Sequence, residues 1–142
     1  MNNAARIKIL QTASMAILAF VVSACGETER TVAQANANIA NYTKHQKKRL
    51  EDFSIIFTSG EIIKMCVQAN MIKSIFLDKY AANKRLLFLR LNVEDPETGE
   101  LVRNSEAISK GLVSDEALQL TSNDCNQAIK ILRPYGFFAD RS

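Results

Sequence analysis

Glu61–Ala82 reads EIIKMCVQANMIKSIFLDKYAA, and Ser114–Arg133 reads SDEALQLTSNDCNQAIKILR. These two stretches decide the fold. At helical spacing the first sets Ile62, Cys66, Ala69, Ile72 or Lys73, Phe76 and Tyr80 along one stripe. The second does the same for Leu118, Thr121, Cys125, Ala128, Ile129 and Leu132. Apolar residues recurring at three and four positions mark the buried face of a helix. Each stripe holds one cysteine, so packing two such faces together brings Cys66 to Cys125. In an oxidising compartment that pair predicts a disulfide; in a reducing one it is two buried thiols. Metal binding is not expected, because no C-x-x-C spacing exists and the single histidine, His45, is far off in sequence.

Between the two helices the pattern changes. Leu87, Leu89, Leu91 and Val93 alternate with Phe88, Arg90, Asn92 and Glu94, which is strand spacing. Asp95-Pro96-Glu97-Thr98-Gly99 has the composition of a turn, and Glu100-Leu101-Val102-Arg103 fits a returning strand. One expectation is therefore a β-hairpin over about 87–103; the other is that the helix runs on to about Leu91. Asn104 or Ser105 is expected to cap a short helix that stops at Gly111. Ser114 should then open the last helix, with Asp115 and Glu116 suiting its dipole and Thr121–Asp124 able to split it. Pro134 and Gly136 end it, and Phe137-Phe138 is expected to fold back on the core.

N-terminal to Glu61, Thr58-Ser59-Gly60-Glu61 resembles a capping box that would start the second helix. Before it, Val32, Ala35, Ile39, Tyr42, Leu50, Phe53, Ile56 and Phe57 follow helical spacing from Thr31 onward. The Asn-rich start of this long helix is weak, since Asn competes for its own backbone, so it also fits a spacer. Inside it lies Thr43-Lys44-His45-Gln46-Lys47-Lys48-Arg49. Lys44, Lys47, Lys48 and Arg49 are the candidate contact with an anionic surface, either lipid headgroups, an acidic partner or envelope polymers. The alternative is a solvated helix face balanced by Glu51, Asp52 and Glu61.

Residues 1–24 have the three parts of an export signal. Arg6 and Lys8 precede the apolar run Met15–Val22, whose eight residues span only about 12 Å as a helix, against ~30 Å of hydrocarbon. Val22-Ser23-Ala24-Cys25 then resembles the lipobox of bacterial lipoproteins. That resemblance implies acylation of Cys25, palmitate-type chains on the new N-terminus and stable membrane anchoring through two or more chains. Gly26 rather than Asp after the cysteine implies forwarding to the outer membrane; the alternatives are an inner-membrane lipoprotein or, by ordinary cleavage after Val22-Ser23-Ala24, a soluble periplasmic protein. The expected organisation is a signal peptide over 1–24, a lipid-attached tether over 25–30 and a helical periplasmic domain over 31–142. The expected fold is a mainly α domain of three to four helices, with the hairpin at about 87–103 and one disulfide.

Removing residues 1–24 takes away two cations and no acid, so the formal net charge falls from +3 to +1. A nearly neutral exported protein is not expected to bind nucleic acid. A Ser or Cys nucleophile needs a base, and His45 sits in a lysine-rich polar stretch. The carboxylate pairs Glu51-Asp52, Glu94-Asp95 and Asp115-Glu116 have capping or surface roles. With no glycine-rich phosphate loop and no haem motif, neither cofactor nor catalysis is expected. The reading is a non-enzymatic binding or accessory module with a protein partner in the envelope, either a complex subunit or an immunity or exclusion inhibitor. A cell-wall-acting enzyme and a structural spacer are the alternatives.

Overall fold

The computed structural model describes residues 30–115 and 119–139, which form five α-helices and no strand among them. They are α1 (Val32–Ile39), α2 (Lys44–Gln68), α3 (Ile75–Leu91), α4 (Pro96–Asp115) and α5 (Ser122–Leu132), followed by a 3-10 turn over Arg133–Tyr135. Three starts share one device. Thr31, Thr43 and Thr121 accept the backbone N–H of Gln34, Gln46 and Asp124, and those side chains accept the threonine N–H in return. Each such box satisfies two of the backbone donors that a helix start leaves open.

Helix α2 is the axis of the molecule. It packs against α4, α5 and α3. Leu50, Phe53, Ile56, Phe57 and Ile63 are buried on it, and Leu101, Val102, Ala128, Ile129, Leu132, Tyr80 and Phe137 complete the core. Five consecutive residues, Ile56 to Gly60, are buried, so α2 is enclosed on all sides at its middle.

That enclosure corrects the helix boundary expected at Thr58–Glu61. Thr58, Ser59 and Gly60 lie inside α2. Thr58 Oγ1 donates to Ser109 Oγ of α4 at 3.0 Å. A Cβ on Gly60 would stand 2.5 Å from Tyr80 Cε1 and closer still to Cζ and Oη. Small residues here let neighbouring helices approach; they do not end the helix.

The helix runs on to Gln68 and is closed just beyond it by Asn70, which adopts the left-handed conformation at φ 56°, while the Met71 N–H bonds back to the Cys66 carbonyl at 2.9 Å. The stripe from Ile62 to Tyr80 is therefore carried by two helices, α2 and α3, with a break between.

The hairpin over 87–103 is replaced by helix on both sides of a tight turn. Residues 87–91 close α3, and Asn92 at φ 51° caps it. Asp95 then caps α4: its Oδ2 accepts the Thr98 N–H at 2.9 Å and its carbonyl the Gly99 N–H at 2.8 Å. Pro96 occupies the first helical position, where a missing N–H costs nothing. Gly99 is helical, and a Cβ there would meet the Val93 carbonyl oxygen at 2.6 Å.

Nor does a short helix run from Asn104 to Gly111. Both Asn104 and Ser105 are fully buried within α4, and at Gly111 a Cβ would stand 2.5 Å from Val32 Cγ2 of α1. Ser114 belongs to the last turn of α4, its hydroxyl donating to the Gly111 carbonyl at 3.1 Å. Residues 116–118, which include the expected Glu116 and Leu118, lie outside the described residues.

Two expectations hold. Cys66 and Cys125, both fully buried, form a disulfide that ties α2 to α5 across 59 residues of sequence. Phe137 returns to the core after Gly136 turns the chain at φ 84°. It stacks on Tyr80 at 5.5 Å, and Phe138 meets Phe76 edge-on at 5.8 Å.

Candidate anchor-proximal surface

Arg30 opens the described chain and is held at once. Its Nη1 donates to Glu100 Oε1 and, at 2.6 Å, to Asn104 Oδ1, both on α4. Glu100 also accepts from Asn38 Nδ2 at 3.1 Å and, through its other oxygen, from Arg103 Nη2 at 3.2 Å. The Asn104 amide in turn donates to the Tyr42 hydroxyl. This clasp joins the two ends of α1 and the start of α2 to one face of α4. Burying the Asn104 amide unpaired would cost a few kcal/mol; here its oxygen and its nitrogen are both used.

The electrostatics follow from the same contacts. The Arg30 hydrogen bond, reinforced by Arg103, holds the Glu100 carboxyl below the ordinary carboxylate range. Burial pushes the Tyr42 hydroxyl up, an effect the Asn104 bond offsets in part and the Glu100 charge adds to. Glu100 is thus an anion and Tyr42 a neutral phenol across the physiological range.

The basic run begins immediately beyond Tyr42. Lys44, Lys47 and Lys48 are exposed and fall within an arc of about 100° on the first two turns of α2. Among the described residues none of the three has an ion pair within 4 Å. Arg49 differs from them. Its Nη2 donates to Thr98 Oγ1 at 3.0 Å, its Nη1 lies 3.6 Å from Glu97, and its guanidinium sits 6.0 Å from the Phe53 ring centroid. It fastens the start of α2 to the start of α4 and is only partly available to a ligand. His45 is exposed in the same turn. Cys25 lies outside the described residues, and Cys66 and Cys125 sit in the core, distant in the fold from this end of α2.

Sequence patterning alone missed the clasp. Its contacts to α4 span 62 to 74 positions, the longest between Arg30 and Asn104, and no periodicity links them. The one local signal was Thr31-x-x-Gln34, which marks a helix start and leaves Arg30 as the last residue outside it. No group of three or more histidine, cysteine, aspartate or glutamate side chains placed to hold a metal ion occurs among the described residues. None of the described helices is long and apolar enough to cross a membrane. No protein-family model, no curated protein and no solved structure matches the chain.

Proposed function

We propose that this chain is the precursor of a lipid-anchored protein of the bacterial envelope. In this reading Cys25 carries the lipid, and the helical domain serves as a non-enzymatic accessory module at the periplasmic face of the outer membrane. The observation that carries it is the Arg30 clasp. It fixes the chain five residues after Cys25, beside the exposed Lys44, Lys47 and Lys48. Five residues reach at most ~18 Å, so a lipid on Cys25 brings this end of the bundle to the headgroup layer. There each cation is worth about 1 kcal/mol against anionic lipid. A binding role is favoured over catalysis because Asp95, whose carboxyl the hydrogen bonds of Thr98 hold below the ordinary range, is spent on capping α4, and Glu51 and Asp52 are exposed.

The test is the intact mass and membrane partition of the expressed chain beside its Cys25→Ser variant. The expected mature species starts at residue 25, bears acyl mass and stays with membranes through a high-salt wash, whereas Cys25→Ser is released. A wild-type chain that keeps Met1 and no acyl mass would sink the proposal, as would a serine variant that stays equally membrane-bound.

A further inference from the structure

Helix α3 buries one side and leaves another bare. Tyr80, Leu87, Phe88 and Leu91 face the core, and Lys84 joins them, pairing with Glu106 of α4 and lying 5.1 Å and 5.3 Å from the ring centroids of Phe57 and Phe88. On the opposite side, at 100° per residue, Leu89, Ala82, Ile75 and Leu86 fall within an arc of about 60°. Ile75, Leu86 and Leu89 are 48%, 44% and 74% exposed, the large apolar side chains most open to solvent among the described residues. The ridge they make runs about 21 Å along the helix.

Its borders are charged. Asp78 and Arg85 lie along one edge and Lys79 and Arg90 along the other, all exposed. Arg90 reaches back to the Gly136 turn, where its Nη2 would stand 3.9 Å from a Cβ, and none of the three cations has an ion pair within 4 Å among the described residues. Asp78 is the single acid of α3. Scattered exposed leucines need no explanation; three large exposed apolar side chains on one helix face, bordered by three cations and one acid, do.

We propose that the outer face of α3 docks an acidic amphipathic helix of another envelope protein. The partner's apolar stripe would lie along Leu86 and Leu89, and its carboxylates would meet Lys79, Arg85 and Arg90. A second copy of this chain is disfavoured by charge, because each face carries three cations to one acid and two such faces would set mostly cation against cation. A bilayer is disfavoured by position. Glu106, which takes Lys84 of α3, lies about 120–160° around α4 from Glu100, Asn104 and Gly111, which take Arg30 and α1. The tethered flank and the ridge therefore point apart. The ~18 Å reach of the tether falls short of the roughly 30 Å across a domain of this size. Choosing a protein over a bilayer rests on the lipid reading of Cys25.

The test is photocrosslinking in the envelope of the native cell, with Leu89 replaced by p-benzoyl-phenylalanine in the full chain, and with Lys130 on α5 replaced as the control position. The expected adduct forms from position 89 and not from 130. Its crosslinked peptide, read by mass spectrometry, is an apolar helical segment flanked by Asp or Glu. The yield should fall by roughly tenfold when Arg85→Glu and Arg90→Glu are added, with an unchanged circular dichroism melt to show that the fold is intact. An adduct with phospholipid, an adduct with a second copy, a partner peptide without acids or no adduct at all would each overturn the proposal. Cys25→Ser run alongside separates the two readings: its membrane retention tests the anchor, whereas the wild-type adduct tests the ridge.

Discussion

Helices α2 and α3 both carry apolar residues around most of their circumference, and their surroundings explain why in different ways. Along α2 the pattern has no clean polar side because the helix is enclosed: α3, α4 and α5 each take a share of it, and even Thr58, Ser59 and Gly60 are buried. Along α3 the same mixture resolves into two opposite stripes, one covered by α2 and one left to solvent. An apolar pattern all round is therefore not one signal. It marks either a helix at the centre of a bundle or a peripheral helix with a second surface to cover. Removing what encloses α2 should be costly, and altering the bare stripe of α3 should not.

The largest effect is expected at the covalent end of α2. Replacing both Cys66 and Cys125 with alanine frees a loop of 59 residues, and loop-closure entropy sets the loss at about 4 kcal/mol. Urea unfolding under non-reducing conditions measures it, and a loss below about 1 kcal/mol would mean that α2 and α5 hold together without the bond. The next effect is expected at the α2–α3 crossing. Gly60→Ala places a methyl against the Tyr80 ring, which has little room to yield because Phe137 stacks on it. Overpacking of this kind costs about 1–3 kcal/mol, more than the ~1 kcal/mol that alanine gains over glycine in a helix interior. Thermal melting should show a net loss. A stabilised variant would show that α3 stands further from α2 than described.

The two regions also differed in how well the sequence foretold them. The disulfide was legible because each cysteine sits among apolar residues at helical spacing, a pattern that survives any error in helix ends. Boundaries were not, because the residues that cap helices are the residues that let helices touch. Thr58-Ser59-Gly60-Glu61 has the spelling of a start and the function of a crossing point, whereas Thr31-x-x-Gln34 and Thr43-x-x-Gln46 have the same spelling and are starts. Asp95-Pro96 is equally at home in a β-turn and in the first turn of a helix. Only the packing of Leu87, Phe88 and Leu91 on the core decides for the helix. Once α3 is continuous to Leu91, Leu86 and Leu89 come onto one face with Ile75. The hairpin reading hides the bare ridge, whereas the alternative of a helix running on to about Leu91, which the structure bears out, exposes it.

The smallest effect is the most discriminating. Leu86→Gln and Leu89→Gln together keep helix propensity nearly constant, since Leu and Gln rank alike, and they remove the ridge. If the ridge is solvent-facing in the isolated protein, the double variant should unfold within about 0.5 kcal/mol of wild type. A stability loss of 2 kcal/mol or more would show that something covers these leucines in the isolated chain, either a second copy or another part of the same molecule. Sedimentation of wild type beside the variant tells those apart. Near-neutral stability with a monomer in both cases leaves the leucines with no role in folding, which is the behaviour of a surface kept for contact with another molecule rather than for the core.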